Sequence, residues 1–345
     1  MRFVIHIGNG KTGTSAVQRF LGDNREALRS KGVLYAGLAF EHCKLPDMSW
    51  SAVVKGAAFL SRPAPQIAAP LTSVLGQLVT QCEEKGFHSA IWSNESLFVV
   101  PDKVATALNG IADRAEIVLV AYIRRQDRWA VSAYKQWGIK HKTYTGPVQP
   151  FDKWFNPARC SYVPILDRWR KLVPSAKLVV RVYERCANDV ISDFARASGL
   201  SLEGLEMPKG RVYETPADAA LALYKIYNSQ FPGNKLPTDL DGLLKSAGVA
   251  QASLAPVDLD LGFPSRADLE RLLERYQGEN ERLSRFSSPD YEVRFDDEDV
   301  EAPRRDPVDQ SALIAALLMI SVDLDKRLRA MSRKLERLSK ETHSA

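Results

Sequence analysis

Apolar and polar residues follow two different periods along the first 200 positions of the chain. Short runs that are apolar at nearly every position predict buried strands, and longer stretches with apolar residues every three or four positions predict helices. The predicted strands lie at 2–7, 33–37, 89–96, 115–125 and 176–184. The predicted helices lie at 14–31, 70–86, 102–113, 126–142, 161–172 and 188–199. Strands that alternate with helices predict an α/β fold with a parallel central sheet.

The pattern changes near residue 205 to helices that are joined by loops rich in proline and glycine. We therefore expect an α/β core over 1–205, a helical region of the same domain over 206–300, and a linker with a long amphipathic helix over 301–345. Apolar residues in this tail recur every three or four positions, at Leu313, Leu317, Ile320, Leu324, Leu328, Met331, Leu335 and Leu338. Such a stripe favours docking on the chain's own core or pairing in a homo-oligomer over contact with a membrane.

Composition narrows the class of protein further. The chain has 345 residues, 45% of them apolar, with 47 basic and 42 acidic residues and a net charge of +5. This mild excess suits an anionic ligand and does not require nucleic acid. We expect no membrane span, because apolar runs stay well below about 20 residues. Four scattered cysteines and the absence of paired histidines predict a cytoplasmic protein with reduced thiols and no metal site.

The stretch "IHIGNGKTGTSAVQRF" places a glycine-rich turn between the first strand and the first helix. Such a turn presents backbone N–H groups and the positive end of the helix dipole to an anion. The residues suited to phosphate binding are Gly8, Gly10, Lys11, Thr12, Gly13, Thr14 and Ser15. We therefore predict a phosphate site and a P-loop-like, three-layer arrangement of the sheet and its helices.

The turn departs from the nucleotide loop of ATP-dependent enzymes. "GKT" at 10–12 fits that loop, but its first glycine would fall on Ile5, inside the strand. The strongest apolar strand, 115–125, ends in two arginines rather than in an acidic magnesium ligand. Phosphoryl transfer from ATP normally needs that metal, so a small-molecule kinase is the less favoured alternative.

A second motif, "IRRQDRWAVSAY", follows the end of that strand. Arg124 stands at the strand end, and Ser132 lies eight residues later on the next helix. An arginine and a hydroxyl in these places can clamp a dianionic phosphate together. Two phosphate sites on neighbouring strand–helix units predict a nucleotide with phosphates at two positions.

The two motifs together resemble those of the sulfotransferases that use 3'-phosphoadenosine-5'-phosphosulfate (PAPS), particularly the bacterial and carbohydrate-acting branch. On this resemblance, the residues of the 5'-phosphosulfate loop are Gly10, Lys11, Thr12, Gly13, Thr14 and Ser15. Arg124 and Ser132 match the 3'-phosphate motif, although Arg125-Gln126 replaces the common Asn-Pro. The likeness covers roughly 1–200 well and 205–295 loosely. It implies a carbohydrate or glycoconjugate acceptor, release of the product PAP (3'-phosphoadenosine-5'-phosphate), and no metal.

The resemblance also suggests roles in catalysis. Lys11 would stabilise the leaving oxygen, and Glu95, which follows the strand 89–96 in "SAIWSNES", would accept the proton of the acceptor. The structural alternative for Glu95 is a helix cap or an ion pair. His6 is the competing base, although its place within the first strand, two residues before the loop, favours a core or supporting histidine over a catalytic one. Arg211 or Lys209, in "PKGRVYE", would complete the 3'-phosphate clamp.

The sequence therefore predicts a cytoplasmic, metal-independent, PAPS-dependent sulfotransferase. Two alternatives stay open, a P-loop kinase and a non-catalytic module that binds a nucleotide. Turnover separates the module from the enzyme, and binding of ATP with magnesium identifies the kinase.

Overall fold

The computed structural model describes residues 1–45, 62–142, 144, 147–208, 218–230, 238–247, 261–303 and 310–343. Five strands form one parallel sheet in the order β2-β3-β1-β4-β5. Their bounds are β1 Arg2–His6, β2 Val33–Gly37, β3 Ser89–Ser93, β4 Glu116–Ile123 and β5 Lys177–Val182. The predicted α/β class with a central parallel sheet is confirmed.

Helices connect and cover the strands. Their bounds are α1 Thr14–Asp23, α2 Arg25–Ser30, α3 Ala64–Glu84, α4 Pro101–Asn109, α5 Gln126–Ala133, α6 Phe151–Trp154, α7 Val163–Leu172, α8 Val190–Ser198, α9 Asp218–Gln230, α10 Thr238–Ser246, α11 Arg266–Asn280 and α12 Gln310–His343. Short 3-10 turns lie at Glu95–Leu97, Pro157–Cys160, Tyr183–Arg185 and Glu281–Phe286. None of these described helices combines the length and apolar character needed to cross a bilayer.

The sheet is apolar on both faces because alternate side chains of each strand point to opposite sides. Phe3 and Ile5 of β1 belong to one buried cluster, and Val4 belongs to the other. The first cluster includes Leu71 of α3, whereas the second includes Phe20 of α1. This double coverage explains why the strands read as continuous apolar runs in the sequence.

The helix predicted over 14–31 is two helices, because the side chain of Asn24 bonds a distant backbone. Its amide Nδ2 donates to the carbonyls of Phe20 and Glu206, both at 2.9 Å. Its Oδ1 accepts from the N–H of Glu206 at 2.7 Å. Asn24 is 3% exposed, and its partner lies 182 residues away. The break therefore depends on a tertiary contact that local periodicity does not contain.

The helix predicted over 126–142 changes type after α5. Residues Tyr134–Lys140 form a π-helix, a wider turn that is uncommon and often found near functional sites. A Cβ at Gly138 would lie 2.3 Å from the ring of Tyr134, so only glycine fits beside this ring. The Tyr134 hydroxyl donates to the carbonyl of Gln149 at 2.7 Å. Bonds to distant residues thus hold a backbone form that the amphipathic pattern does not specify.

The chain forms two compact units. The first comprises Met1–Trp129, Pro157–Tyr213 and Leu272–Asp299, and it contains the whole sheet. The second comprises Ala130–Asn156, Glu214–Arg271 and Val300–Ala345, and it contains α9, α10 and α12. The predicted boundaries at residues 205 and 300 stay predictions. The four cysteines are free and buried, all in the first unit.

Candidate active site

The glycine-rich loop begins above the middle of the sheet. After β1 ends, the N–H groups of Ile7 and Asn9 still donate to carbonyls of β4, those of Val120 and Tyr122, each at 2.9 Å. The chain then turns through Lys11 and enters α1, with positive φ angles of 71° at Lys11 and 80° at Gly13. Pairing with β4 therefore fixes where the loop starts relative to the sheet.

Gly13 is the residue from which α1 begins, and its positive φ angle and close neighbours favour glycine there. A Cβ at this position would lie 3.0 Å from the Tyr183 ring and 3.1 Å from Val190. Since glycine has no side chain, the first N–H groups of α1 receive no side-chain cap. Unpaired N–H groups at a helix N-terminus attract anions.

Thr14 adds an unsatisfied polar atom at the same place. Thr14 is 4% exposed, and its Oγ1 is buried with no hydrogen-bond partner among the described residues. A buried hydroxyl normally has a partner. Together with the uncapped helix and the space kept by Gly13, this hydroxyl suits a phosphate bound at the loop.

Three successive loop carbonyls are held by protein donors. The oxygens of Asn9, Gly10 and Lys11 accept from Thr12 Oγ1, Trp129 Nε1 and Arg124 Nη1, respectively. The indole bond is 2.8 Å long and the guanidinium bond is 3.0 Å long. Donors on these carbonyl oxygens offset part of the negative charge that an anion in the loop would meet, and the bonds fix the loop backbone. The role of Trp129 was not assigned from the sequence.

Arg124 lies directly after β4, at the loop. Its Nε stands 3.4 Å from Oε1 of Glu184, and its guanidinium carbon lies 5.1 Å from the centre of the Tyr183 ring. The two paired side chains are only 21% and 12% exposed. Burial raises the pKa of Glu184, although hydrogen bonds from backbone N–H groups and the Arg124 charge oppose that shift. The sequence did not reveal that a carboxylate would share this arginine.

Arg125 and Gln126, which replace the common Asn-Pro, serve the framework of the first unit. Arg125 is 5% exposed and makes two hydrogen bonds to Asp127, at 2.9 and 2.7 Å. It also donates to the carbonyl of Glu298 at 2.7 Å. The amide of Gln126 exchanges two hydrogen bonds with that of Asn280, at 2.7 and 3.1 Å. Both residues attach later segments to the end of β4.

Of the three other candidates for the predicted phosphate clamp, only Ser132 lies among the described residues. Ser132 lies on α5, where it is half-buried, one helix after Arg124 as the sequence predicted. Its part in a clamp stays a prediction. Arg211 and Lys209 lie outside the described residues, so the structure leaves their predicted role untested.

Glu95 opens a short turn at the same end of the sheet as the loop. The cap of this turn is Asn94, whose Oδ1 accepts from the N–H of Ser96 at 3.0 Å, so Glu95 is not the cap. Gln18 of α1 donates to Oε2 of Glu95 at 3.0 Å and to the carbonyl of Ser93 at 3.2 Å. Glu95 is half-buried and thus keeps part of its surface open. Gln18 was not assigned from the sequence.

His6 lies beneath the loop. It is fully buried, its Nδ1 is 2.9 Å from Oγ of Ser93, and a Cβ on Gly8 would come within 2.9 Å of its Nε2. Its ring contacts those of Tyr122 and Phe194 at centroid distances of 5.5 and 5.3 Å. Burial lowers the pKa of His6 to about 3, so the ring is neutral. Of the two candidate bases, Glu95 is the one with a solvent-accessible surface.

A scan against models of known protein families finds no match. One relative, a protein of Archaeoglobus fulgidus described only as uncharacterized, is 33% identical over 107 residues. That match covers 30% of this chain, and the chain spans 27% of the relative's length. Among solved structures, a sulfotransferase from Alicyclobacillus acidocaldarius is similar with a TM-score of 0.36 and 12% identity, over 67% of this chain and 94% of that one. Similarities of this extent establish no family membership.

Proposed function

We propose that the protein is a sulfotransferase that uses PAPS and acts on a hydroxyl or amine of a carbohydrate or glycoconjugate. The observation that carries this proposal is the loop Gly8–Ser15, with its carbonyls held by protein donors and Arg124 placed directly on it. A phosphate seat with an arginine at the end of the adjacent strand suits a donor that carries two separate phosphate groups. The free, buried cysteines are consistent with the cytoplasm that we propose as its location.

The chain's own residues would divide the work of binding. The N–H groups of Thr12 and of the start of α1, together with the hydroxyls of Thr14 and Ser15, would hold the 5'-phosphate end of the donor, while the Thr12 hydroxyl stays bonded to the carbonyl of Asn9. Arg124, Ser132 and Arg211 would hold the 3'-phosphate. Bound PAPS supplies the sulfuryl group, whose sulfur bonds to the acceptor oxygen or nitrogen while its bond to the 5'-phosphate oxygen breaks and leaves the electron pair on that oxygen.

Lys11 and Glu95 would assist the transfer from opposite sides of the reaction. Lys11 would offset the negative charge that develops on the leaving phosphate oxygen. Glu95 would take the proton that the acceptor loses, held in place by the hydrogen bond from Gln18. Neither role needs a metal ion, and metal-independent transfer is part of the proposal.

Glu184 adds a constraint on Arg124. In the ion pair, the carboxylate fixes the direction of the guanidinium and balances its charge while no phosphate is bound. A phosphate at Arg124 would bring a second anion near Glu184. We therefore propose that Arg124 binds phosphate through its Nη groups while Glu184 keeps the Nε side.

Calorimetric titration with PAP, and separately with ATP and magnesium, tests the donor class. We expect PAP to bind without magnesium, and Lys11→Ala and Arg124→Ala each to weaken that binding about tenfold or more, through loss of a hydrogen bond to a charged group. Arg168→Ala is the matched control, since Arg168 is 58% exposed and pairs with Asp102 instead of the loop. Binding of ATP with magnesium and no response to PAP would instead support the kinase.

Turnover with sulfur-labelled PAPS then distinguishes an enzyme from a binding module. We expect label to pass to members of a panel of hydroxyl- and amine-bearing sugars. Glu95→Gln should abolish most of this transfer while PAP binding is unchanged. Near-normal turnover in Glu95→Gln would remove that residue from the mechanism. PAP binding without transfer to any acceptor or to water would favour the module.

A further inference from the structure

The long helix α12 exposes a row of large apolar side chains. Their exposed fractions are 56% for Ile314, 53% for Leu317, 41% for Leu324, 64% for Leu328, 63% for Met331 and 65% for Leu335. Folded monomers rarely leave a contiguous apolar surface of this kind open to water. The row therefore needs a partner.

The chain's own second unit is packed against a different face of this helix. Ala316 is fully buried, and Met319 and Ile320 are half-buried, where α12 lies against α9 and α10. The hydroxyl of Ser246 on α10 also hydrogen-bonds the carboxylate of Asp323. Among the described residues, docking on the chain's own core thus uses the face that carries residues 316, 319, 320 and 323, and these residues leave the apolar row uncovered.

The exposed row has the spacing of a coiled coil. The positions that continue the row in the sequence are 314, 317, 321, 324, 328, 331, 335 and 338, with strictly alternating steps of three and four. These are the a and d positions of a heptad repeat, sustained over about three and a half heptads. All are apolar except Ser321. Apolar residues at only two positions of each heptad form a narrow stripe that faces a single partner helix. A helix that packs on a globular surface instead has a broader apolar face.

We propose that α12 pairs with α12 of a second copy of this chain in a parallel, two-stranded coiled coil. The helix has 34 residues, which gives it a length of about 50 Å at about 1.5 Å per residue. A coiled coil needs apolar a and d positions over at least about three heptads, and the eight seam positions of α12 cover that length. The proposal does not depend on the proposed enzymatic activity.

A membrane surface is a poorer partner for the same face. Helices that lie in the membrane interface bury a wide apolar face, usually with Trp or Phe among its residues. The segment 310–343 contains no Trp, Tyr or Phe. Charged residues also lie close to the seam on both sides, at Asp325 and Arg327, as is usual beside the a and d positions of coiled coils.

The same charges select the parallel orientation. An antiparallel pair that matched all eight seam positions would place Arg327 beside Arg327 of the partner subunit, and Asp325 beside Asp325 of the partner subunit. Like charges opposite each other disfavour that arrangement. In the parallel pair, Arg327 instead faces Ser332 of the partner subunit, and no like charges meet.

Light scattering coupled to size-exclusion chromatography tests the pairing with the full chain. We expect a mass of twice 38.4 kDa for the native protein. The double variant Leu328→Glu, Met331→Glu should elute with the mass of one chain, because four carboxylates would meet in the seam. The control Lys326→Glu, Arg333→Glu changes exposed residues on the far side of the helix and should keep the doubled mass. A cooperative unfolding transition verifies that both variants are folded, and the seam variant should unfold at a lower midpoint because it has lost the stabilisation that pairing gives.

A native protein that stays at the mass of one chain at high micromolar concentration overturns the proposal. So does a doubled mass that persists in the seam variant, because the interface would then lie elsewhere. Cosedimentation with anionic phosphatidylserine vesicles covers the membrane alternative. A single-chain mass together with vesicle binding that is lost in the seam variant assigns the row to lipid instead.

Orientation is tested by Ser321→Cys. In a parallel pair the two introduced thiols meet in the seam, and we expect mild oxidation to give a disulfide-linked dimer. The four native cysteines are buried and do not compete. Ala330→Cys, on the outer face, should stay uncrosslinked. A dimer by mass in which Ser321→Cys forms no crosslink would refute the parallel arrangement.

Discussion

Replacement of Gly13 by alanine tests directly how the loop is built. Two costs add at this position. An L-residue in the left-handed region costs about 1–2 kcal/mol, and the φ angle here is 80°. The new methyl would also meet Tyr183 at 3.0 Å and Val190 at 3.1 Å, and such overpacking costs about 1–3 kcal/mol. We therefore expect Gly13→Ala to lower the free energy of unfolding by about 2–5 kcal/mol.

Gly22 provides a matched control in the same helix. An added Cβ there meets nothing within 4 Å, and its φ angle is not positive. Alanine is favoured over glycine inside a helix, so Gly22→Ala should raise the free energy of unfolding by about 0.5–1 kcal/mol. Urea titration followed by circular dichroism and tryptophan fluorescence measures both changes, provided that the m-values are equal.

A third variant separates the two costs. Val190→Ala removes methyl groups that the new side chain would meet, but it leaves the φ angle as it is. Gly13→Ala should therefore cost about 1 kcal/mol less in the Val190→Ala background than in the native one. If Gly13→Ala were as stable as Gly22→Ala, the reasoning from backbone angle and contact distance would be refuted. If the cost of Gly13→Ala were the same in both backgrounds, only the part assigned to the contact with Val190 would be refuted.

Three further predictions concern the surroundings of the loop. Burial lowers the pKa of His6 to about 3, so as the pH falls the unfolded state gains a proton before the folded state does. The free energy of unfolding should therefore fall by about 1.4 kcal/mol for each pH unit below about 6.5, down to about pH 3. Equal pH slopes of the urea midpoint in native protein and His6→Gln would contradict this. Gln18→Leu should lower kcat about tenfold with little change in KM, since a hydrogen bond to the proposed base Glu95 is lost. A change in KM alone would argue against a role for Gln18 in positioning Glu95. Trp129→Phe should weaken PAP binding about fivefold, because the hydrogen bond from the indole to the carbonyl of Gly10 is lost. The control is Trp169→Phe, which removes a bond to the carbonyl of Phe98 and should leave the calorimetric affinity for PAP unchanged.

Local patterns in the sequence were sufficient to predict the main elements. The run 115–125 is apolar at nearly every position, and it forms the interior strand Glu116–Ile123, which pairs on both sides. The loop and Arg124 could also be located, because a turn between a strand and a helix puts both at the same edge of a parallel sheet. Glu95 was placed at that edge by the same reasoning, and it lies there beside Gln18.

Contacts between distant residues were beyond prediction. The break at Asn24 depends on Glu206, and the pairing of Arg124 with Glu184 joins two strand ends 60 residues apart. Trp129 is an ordinary core residue by its sequence, yet its indole holds a loop carbonyl. The identity of one residue does not indicate which distant segment will come within hydrogen-bond distance of its side chain.

The sequence by itself determined the α/β class, the order of the elements and the position of the glycine-rich loop. These follow from periodicity and from the backbone freedom of glycine, which act over a few neighbouring residues. Only the tertiary structure decided that His6 is closed off beneath the loop, that Glu184 shares Arg124, and which face of α12 is left open. Those outcomes depend on burial, and burial is set by all the segments that pack together and not by any one of them.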